Sequence, residues 1–233
     1  MVLFCFAITS LSIMISVLLS RFLHPSDIQG EFIQASYRSS AAILGIAIIQ
    51  NLYGNAGMAP LMIIASVPLY NVMAVVVLSL FKPGQGKIDG TVLKRTLKGI
   101  VTNPIILGIA AGTLWSLLRL PFPKILDSTA GNLAKTATPL GLMAMGGSLH
   151  FGKAFSRLKA SVACTFMKLV GYEALFLPLA IRCGFTKDKL VSIIIMLGSA
   201  STVTCFVMAK NMGHEALFLR ESCFLPHYSV PLP

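Results

Sequence analysis

The sequence predicts an all-α membrane protein, a polytopic helical bundle of the transporter type with two broken helices. Three observations predict it. Hydrophobic residues make up 55% of the 233-residue chain and charged residues only 12%, against about 25% charged in ordinary soluble domains, and mean hydropathy is +0.81. Two apolar stretches, 34–54 and 190–213, are interrupted by polar and small residues at membrane depth. Irregular backbone survives there only where protein buries it or where it lines a watery space, and a pair of such segments in two halves marks a carrier's midplane site. The basic residues gather in short loops between apolar runs, where they set orientation in the bilayer.

Residues 2–20 are long enough to span, and the first charge, Arg21, follows them. No basic segment precedes the run and no A-x-A site follows it, which argues against a cleaved signal peptide; the chain is expected to start outside. A polar loop with His24 and Pro25 leads to 34–54, where Arg38, Ser39 and Ser40 precede an apolar run and Gln50 and Asn51 follow it. That run falls short of the about 20 residues a helix needs to cross, so the segment reads as an interrupted helix. Residues 61–81 form a span carrying Pro68 and Asn71, the proline kinking it. The loop 82–98 sets Lys82, Lys87, Lys94, Arg95 and Lys98 against Asp89 alone and is expected in the cytoplasm. Spans follow at 99–118, where Gly108 and Gly112 allow close helix approach, and at 133–149, before a basic loop at 151–159. The span 161–181 holds Lys168 and Glu173, and 190–209 repeats the interrupted design with Gly198, Ser199, Ala200, Ser201, Thr202 and Thr204 at its middle. Nothing in 214–233 can span, which makes roughly seven spans in all. The organisation expected is a first, incomplete inverted repeat at 1–81, a basic linker at 82–98, a second repeat at 99–213 and a tail at 214–233.

A net charge of +11 would suggest nucleic acid in a soluble chain, but the loop placement of the cations excludes that partner. The cysteines, Cys5, Cys164, Cys183, Cys205 and Cys223, show no CxxC or Cys/His ligand spacing, so neither a metal nor a disulfide framework is expected. There is no HExxH, GxSxG or paired intramembrane carboxylate. No enzyme activity and no cofactor are expected. Lys168 and Glu173 are ionisable groups at membrane depth, costly and functional candidates by default. Five residues apart, they project about 140° from each other and do not pair. Partners on other helices, snorkelling of Lys168, and ion or proton coupling all stay open.

The ordered motifs QASYRSSAAILGI with LYG, PLYNVMAVVVL, NPIILGIAAGTLWSLL, ATPLGLMAMGGSL and FVMAKNMG, across 1–216, resemble the auxin efflux carrier family of membrane transporters, whose bacterial members include malate and malonate permease-like proteins. The resemblance implies a five-plus-five inverted-repeat fold with scaffold and transport domains, and crossing broken helices at a site for small organic anions such as dicarboxylates or auxin-like carboxylates. It implies a multi-pass protein of the plasma membrane, with the bilayer, the anion and a coupling ion, proton or sodium, as partners; a homodimer fits the same reading. Substrate contacts fall on Ser39, Ser40, Ser199, Ser201 and Thr202, with Ser40 standing where the family has an asparagine. Ala47 and Ala200 align with the family's helix-breaking prolines. The breaks then rest on Gly, Ser and Thr, and a weaker interruption with fewer free backbone groups and weak anion binding is expected. Two family helices before the first span and one after the last have no counterpart, so truncation at both ends is expected, and a non-transporting fragment or interaction subunit is the rival reading. A bile acid and sodium symporter-like carrier is the other.

Overall fold

A computed structural model describes residues 1–22, 26–55, 57–82, 94, 98–99, 101–102, 104–118, 123–147, 158–216 and 218–219. Among these residues every regular element is helical. Most of the basic loops expected at 82–98 and 151–159, and most of the tail, lie outside the described residues. Three described helical segments are long and apolar enough to cross a membrane: Val2–Ser20, Ala59–Leu80 and Ala160–Arg182. A bent pair, Asp188–Gly198 with Val203–Asn211, adds a fourth if it counts as one span.

Helix α1 is Val2–Ser20. Its buried face is Cys5, Ile8, Thr9, Ser12, Ile13, Ser16 and Ser20, a helical stripe of mostly small and polar residues, while Leu3, Phe6, Met14 and Leu18 face outward. Small residues inward and large apolar ones outward is the arrangement that lipid favours, because packing rather than hydrophobicity joins helices there. The inward hydroxyls return to their own helix, Ser12 Oγ to Ile8 O and Ser16 Oγ to Ser12 O, both at 2.8 Å.

A 3-10 turn at Ser26–Ile28 leads into α2, Gln29–Tyr37. The chain then extends through 38–40 before a π-helical turn at Ala41–Gly45 and α3, Ile46–Tyr53. Gly54, at φ 73°, ends α3 in the left-handed conformation that a residue without Cβ adopts at low cost. Helix α4 is Ala59–Leu80, with Pro68 inside it. Helix α5, Pro104–Leu117, and α6, Lys124–Gly147, pack against α4 and a later helix respectively. The span expected at 133–149 is therefore the later part of a longer helix that begins at Lys124. Helix α7, Leu158–Phe166, passes through a π-helical turn at Met167–Gly171 into α8, Tyr172–Arg182. Helix α9, Asp188–Gly198, and α10, Val203–Asn211, form the bent pair, at 40°.

Among the described residues three apolar cores form: a small one of Ile13, Ile33, Tyr37, Tyr70 and Val77 joins α1, α2 and α4, and two larger ones sit at opposite ends of the bundle. One joins α2, the end of α4, α7 and α10 through Phe32, Leu78, Cys164 and Met208. The other joins the start of α1, α3, the start of α4, α8 and α9 through Ile8, Ile49, Met62, Phe176 and Ile193. Helix α2 thus shares a core with α10, and α3 with α9, so the two broken helices cross antiparallel. The breaks at 38–40 and 199–202 fall between the two larger cores.

The tail was expected not to span, and its first residues dock on the bundle. His214 Nε2 lies 2.9 Å from Leu78 O, Ala216 N–H donates to Glu31 Oε1 at 2.8 Å, and Phe218 is fully buried with its ring 5.8 Å from that of Phe32.

Candidate functional site

The crossing is built from backbone first. Helix α2 stops because Arg38 turns extended, at φ −84° and ψ 126°. Ser199 and Thr202 are likewise extended, at ψ 151° and 149°. The two extended segments meet directly, Ser40 N–H donating to Ala200 O at 2.8 Å. Each break thus needs the other, which is how glycine, serine and threonine can interrupt a helix without proline. The weak interruption expected from Ala47 and Ala200 does not hold: Ala200 lies in a full break, and Ala47 lies inside α3, beyond the first break.

Ending α2 at Tyr37 leaves carbonyls in its last turn without intrahelical donors. Lys168 supplies donors from the π-turn between α7 and α8. Its Nζ donates to Ala35 O at 3.3 Å, to Arg38 O, and to Ser201 Oγ at 3.1 Å. Ser201 Oγ in turn donates to Ala35 O at 3.0 Å. Lys168 is 2% exposed, so it does not snorkel to the surface. A π-turn carries one extra residue per turn and recurs at functional sites; here it bears the lysine that reaches the crossing.

Arg38 points the other way. Its Nη2 donates to Asn71 Oδ1 at 2.7 Å and its Nη1 lies 3.4 Å from Met208 Sδ. Asn71 is held for this by its own Nδ2, which donates at 3.0 Å to the carbonyl of Val67, one turn back and next to Pro68. Arg38 is 4% exposed, and its guanidinium has no carboxylate partner among the described residues. A guanidinium has five N–H donors, and a thioether is a weak acceptor, so donor capacity remains for an anion.

The hydroxyl candidates separate into roles. Ser201 is committed to Lys168 and Ala35, Ser39 Oγ lies 3.4 Å from Tyr70 Oη, and Ser40 acts through its backbone N–H. Thr202 Oγ1 lies 3.4 Å from Cys205 Sγ. Ser199 Oγ is buried with no hydrogen-bond partner among the described residues. The Glu173 carboxylate lies against Gly198, where an added Cβ would collide with Oε1. Arg38 and Asn71 were missed as site residues. The available signal was that Arg38 is the sole Lys or Arg between Arg21 and Lys82, a cation placed in a run with no loop to account for it.

Two broken helices crossing between two cores, with buried cations at the crossing, are the architecture of a membrane transporter. The match to known proteins agrees: a family profile described as membrane transport protein covers residues 1–221. The chain belongs to that family, the family of the auxin efflux carriers. No curated protein and no solved structure matches it.

Proposed function

We propose that the chain is a secondary carrier of small organic anions, dicarboxylates or auxin-like carboxylates, with Arg38 as the partner of the substrate carboxylate. The observation that supports this most is the buried Arg38 guanidinium, held by one amide oxygen and one thioether at the crossing of the two breaks. A buried cation without a paired carboxylate is costly, and an arriving carboxylate would offset that cost with a charge-assisted, bidentate bond. The N-terminal ends of α3 and α10 both lie past the breaks and favour negative charge. Ser199 Oγ, with no partner among the described residues, is the hydroxyl assigned to the substrate. On this reading the protein moves its substrate without chemistry and without a cofactor, in the plasma membrane, as one chain or as a homodimer.

Calorimetry on purified protein tests it with malonate, malate and indole acetate. Whichever of these binds should bind Arg38→Gln about 10-fold or more weakly, the loss of a charge-assisted hydrogen bond. Arg38→Lys should keep part of the affinity. Equal affinity in wild type and Arg38→Gln would remove Arg38 from the site.

A further inference from the structure

We propose that the Lys168 ammonium is a built-in cation that takes the place a dissolved sodium ion would occupy at the crossing, so the protein holds its broken helices together, and works, without sodium. The carbonyl end of a half-helix carries about half a negative charge, and carriers with broken helices commonly neutralise such ends with a bound cation. Here the oxygens that would ligate it are Ala35 O, Arg38 O and Ser201 Oγ, all hard donors of the kind a sodium or calcium ion takes. All three are already hydrogen-bonded to Lys168 Nζ.

The donor and acceptor pattern fits a charged lysine. An ammonium donates and has no acceptor, and Ala35 O, Arg38 O and Ser201 Oγ all accept from it. Ser201 gives its own proton to Ala35 O, so its oxygen is free to accept from Lys168. A neutral amine would aim its lone pair at an oxygen in this arrangement. The ammonium also joins the two breaks, since Ala35 and Arg38 belong to the end of α2 and Ser201 to the second break. It is delivered by an uninterrupted neighbour, the α7–α8 segment, and Arg38 keeps its guanidinium on Asn71 and Met208. The inference about coupling rests on the crossing being the transport site; the inference about the cation does not.

Thermal unfolding in detergent tests the cation without any substrate. Wild type should unfold at the same temperature, within about 1 °C, in sodium chloride and in choline chloride. Lys168→Ala should unfold at least about 5 °C lower in choline chloride. n-Propylammonium has the atoms that this substitution deletes, so adding it should recover at least about half of the loss by mass action. Lys168→Met, with the stem volume filled, should be destabilised and should not respond to the amine. If Lys168→Ala unfolds on extraction, extraction with n-propylammonium chloride decides: folded protein recovered only with the amine supports the proposal, and none with either salt overturns it. A wild type stabilised by sodium over choline overturns it, as does a Lys168→Ala variant as stable as wild type or indifferent to the amine. Failure of the anion to bind in calorimetry, with these results intact, would count against the substrate reading alone.

Discussion

Ser201→Ala removes a side chain that ties the second break to both Lys168 and the end of α2. The hydroxyl donates to Ala35 O at 3.0 Å and accepts from Lys168 at 3.1 Å. In water-soluble proteins a neutral hydrogen bond contributes about 1 kcal/mol and one to a charged group about 1.5–3 kcal/mol. Bonds between membrane helices average nearer about 0.6 kcal/mol. Between these limits the variant should lose about 2 kcal/mol, a roughly 30-fold fall in the folded-to-unfolded ratio. The substitution adds no bulk and leaves no large void, so the loss reads the hydrogen bonds. A cycle with Lys168→Met separates the two contacts, and the pair should couple by about 1 kcal/mol. The assay is reversible unfolding in mixed micelles of increasing dodecyl sulfate, followed by circular dichroism. A coupling within about 0.3 kcal/mol of zero would refute the shared network, whatever the single variants did.

Two further perturbations test the surroundings of the crossing. His214 Nε2 must carry the proton it donates to Leu78 O, which leaves Nδ1 buried with no partner among the described residues, near Lys82. Desolvation, opposed by the bond to Leu78 and aided by Lys82, holds its pKa below the ordinary imidazole value. The unfolded state therefore takes up the proton first. The contribution of His214 is complete above about pH 6.5 and is lost as pH falls below that towards the folded pKa. Melting temperature should fall between neutral and mildly acidic pH, and His214→Gln should flatten the fall. An unchanged slope would remove His214 as its source. Gly198→Ala should drive the Glu173 carboxylate off the end of α9, at a cost of about 1 kcal/mol since the clash is with the far end of a flexible side chain. Glu173→Ala should restore the melting temperature of Gly198→Ala, and a loss that persists in the double variant would place the strain in the backbone instead.

Hydropathy exposes depth, and depth is what the sequence made legible. The spans of α1 and α4, the two interruptions and the depth of Lys168 all follow from where apolar runs begin and end. Direction around a helix and the partner across it are different matters. Lys168 meets Ala35 and Arg38 across 133 and 130 residues, and no local pattern encodes that meeting. The position of the first break shows the same limit: the family's helix-breaking proline aligns with Ala47, whereas the chain interrupts at 38–40, where Ser40 finds a backbone acceptor in Ala200. Arg38 was read as a flank to an apolar run and Asn71 as part of a kinked span. Applying to Arg38 the rule used for Lys168, that an ionisable group at membrane depth has work to do, would have found it. The docking of His214 and Phe218 was hidden by a tail with no apolar periodicity of its own.

Uptake of labelled malonate into proteoliposomes holding wild type, Arg38→Gln or no protein tests most directly whether the crossing is an anion carrier's site. Transport through Arg38 predicts saturable uptake by wild type, in sodium and in choline buffer alike, with Arg38→Gln close to empty vesicles although it is folded and inserted. Uptake by Arg38→Gln at the wild-type rate, or wild-type vesicles no faster than empty ones for malonate, malate and indole acetate, would contradict it.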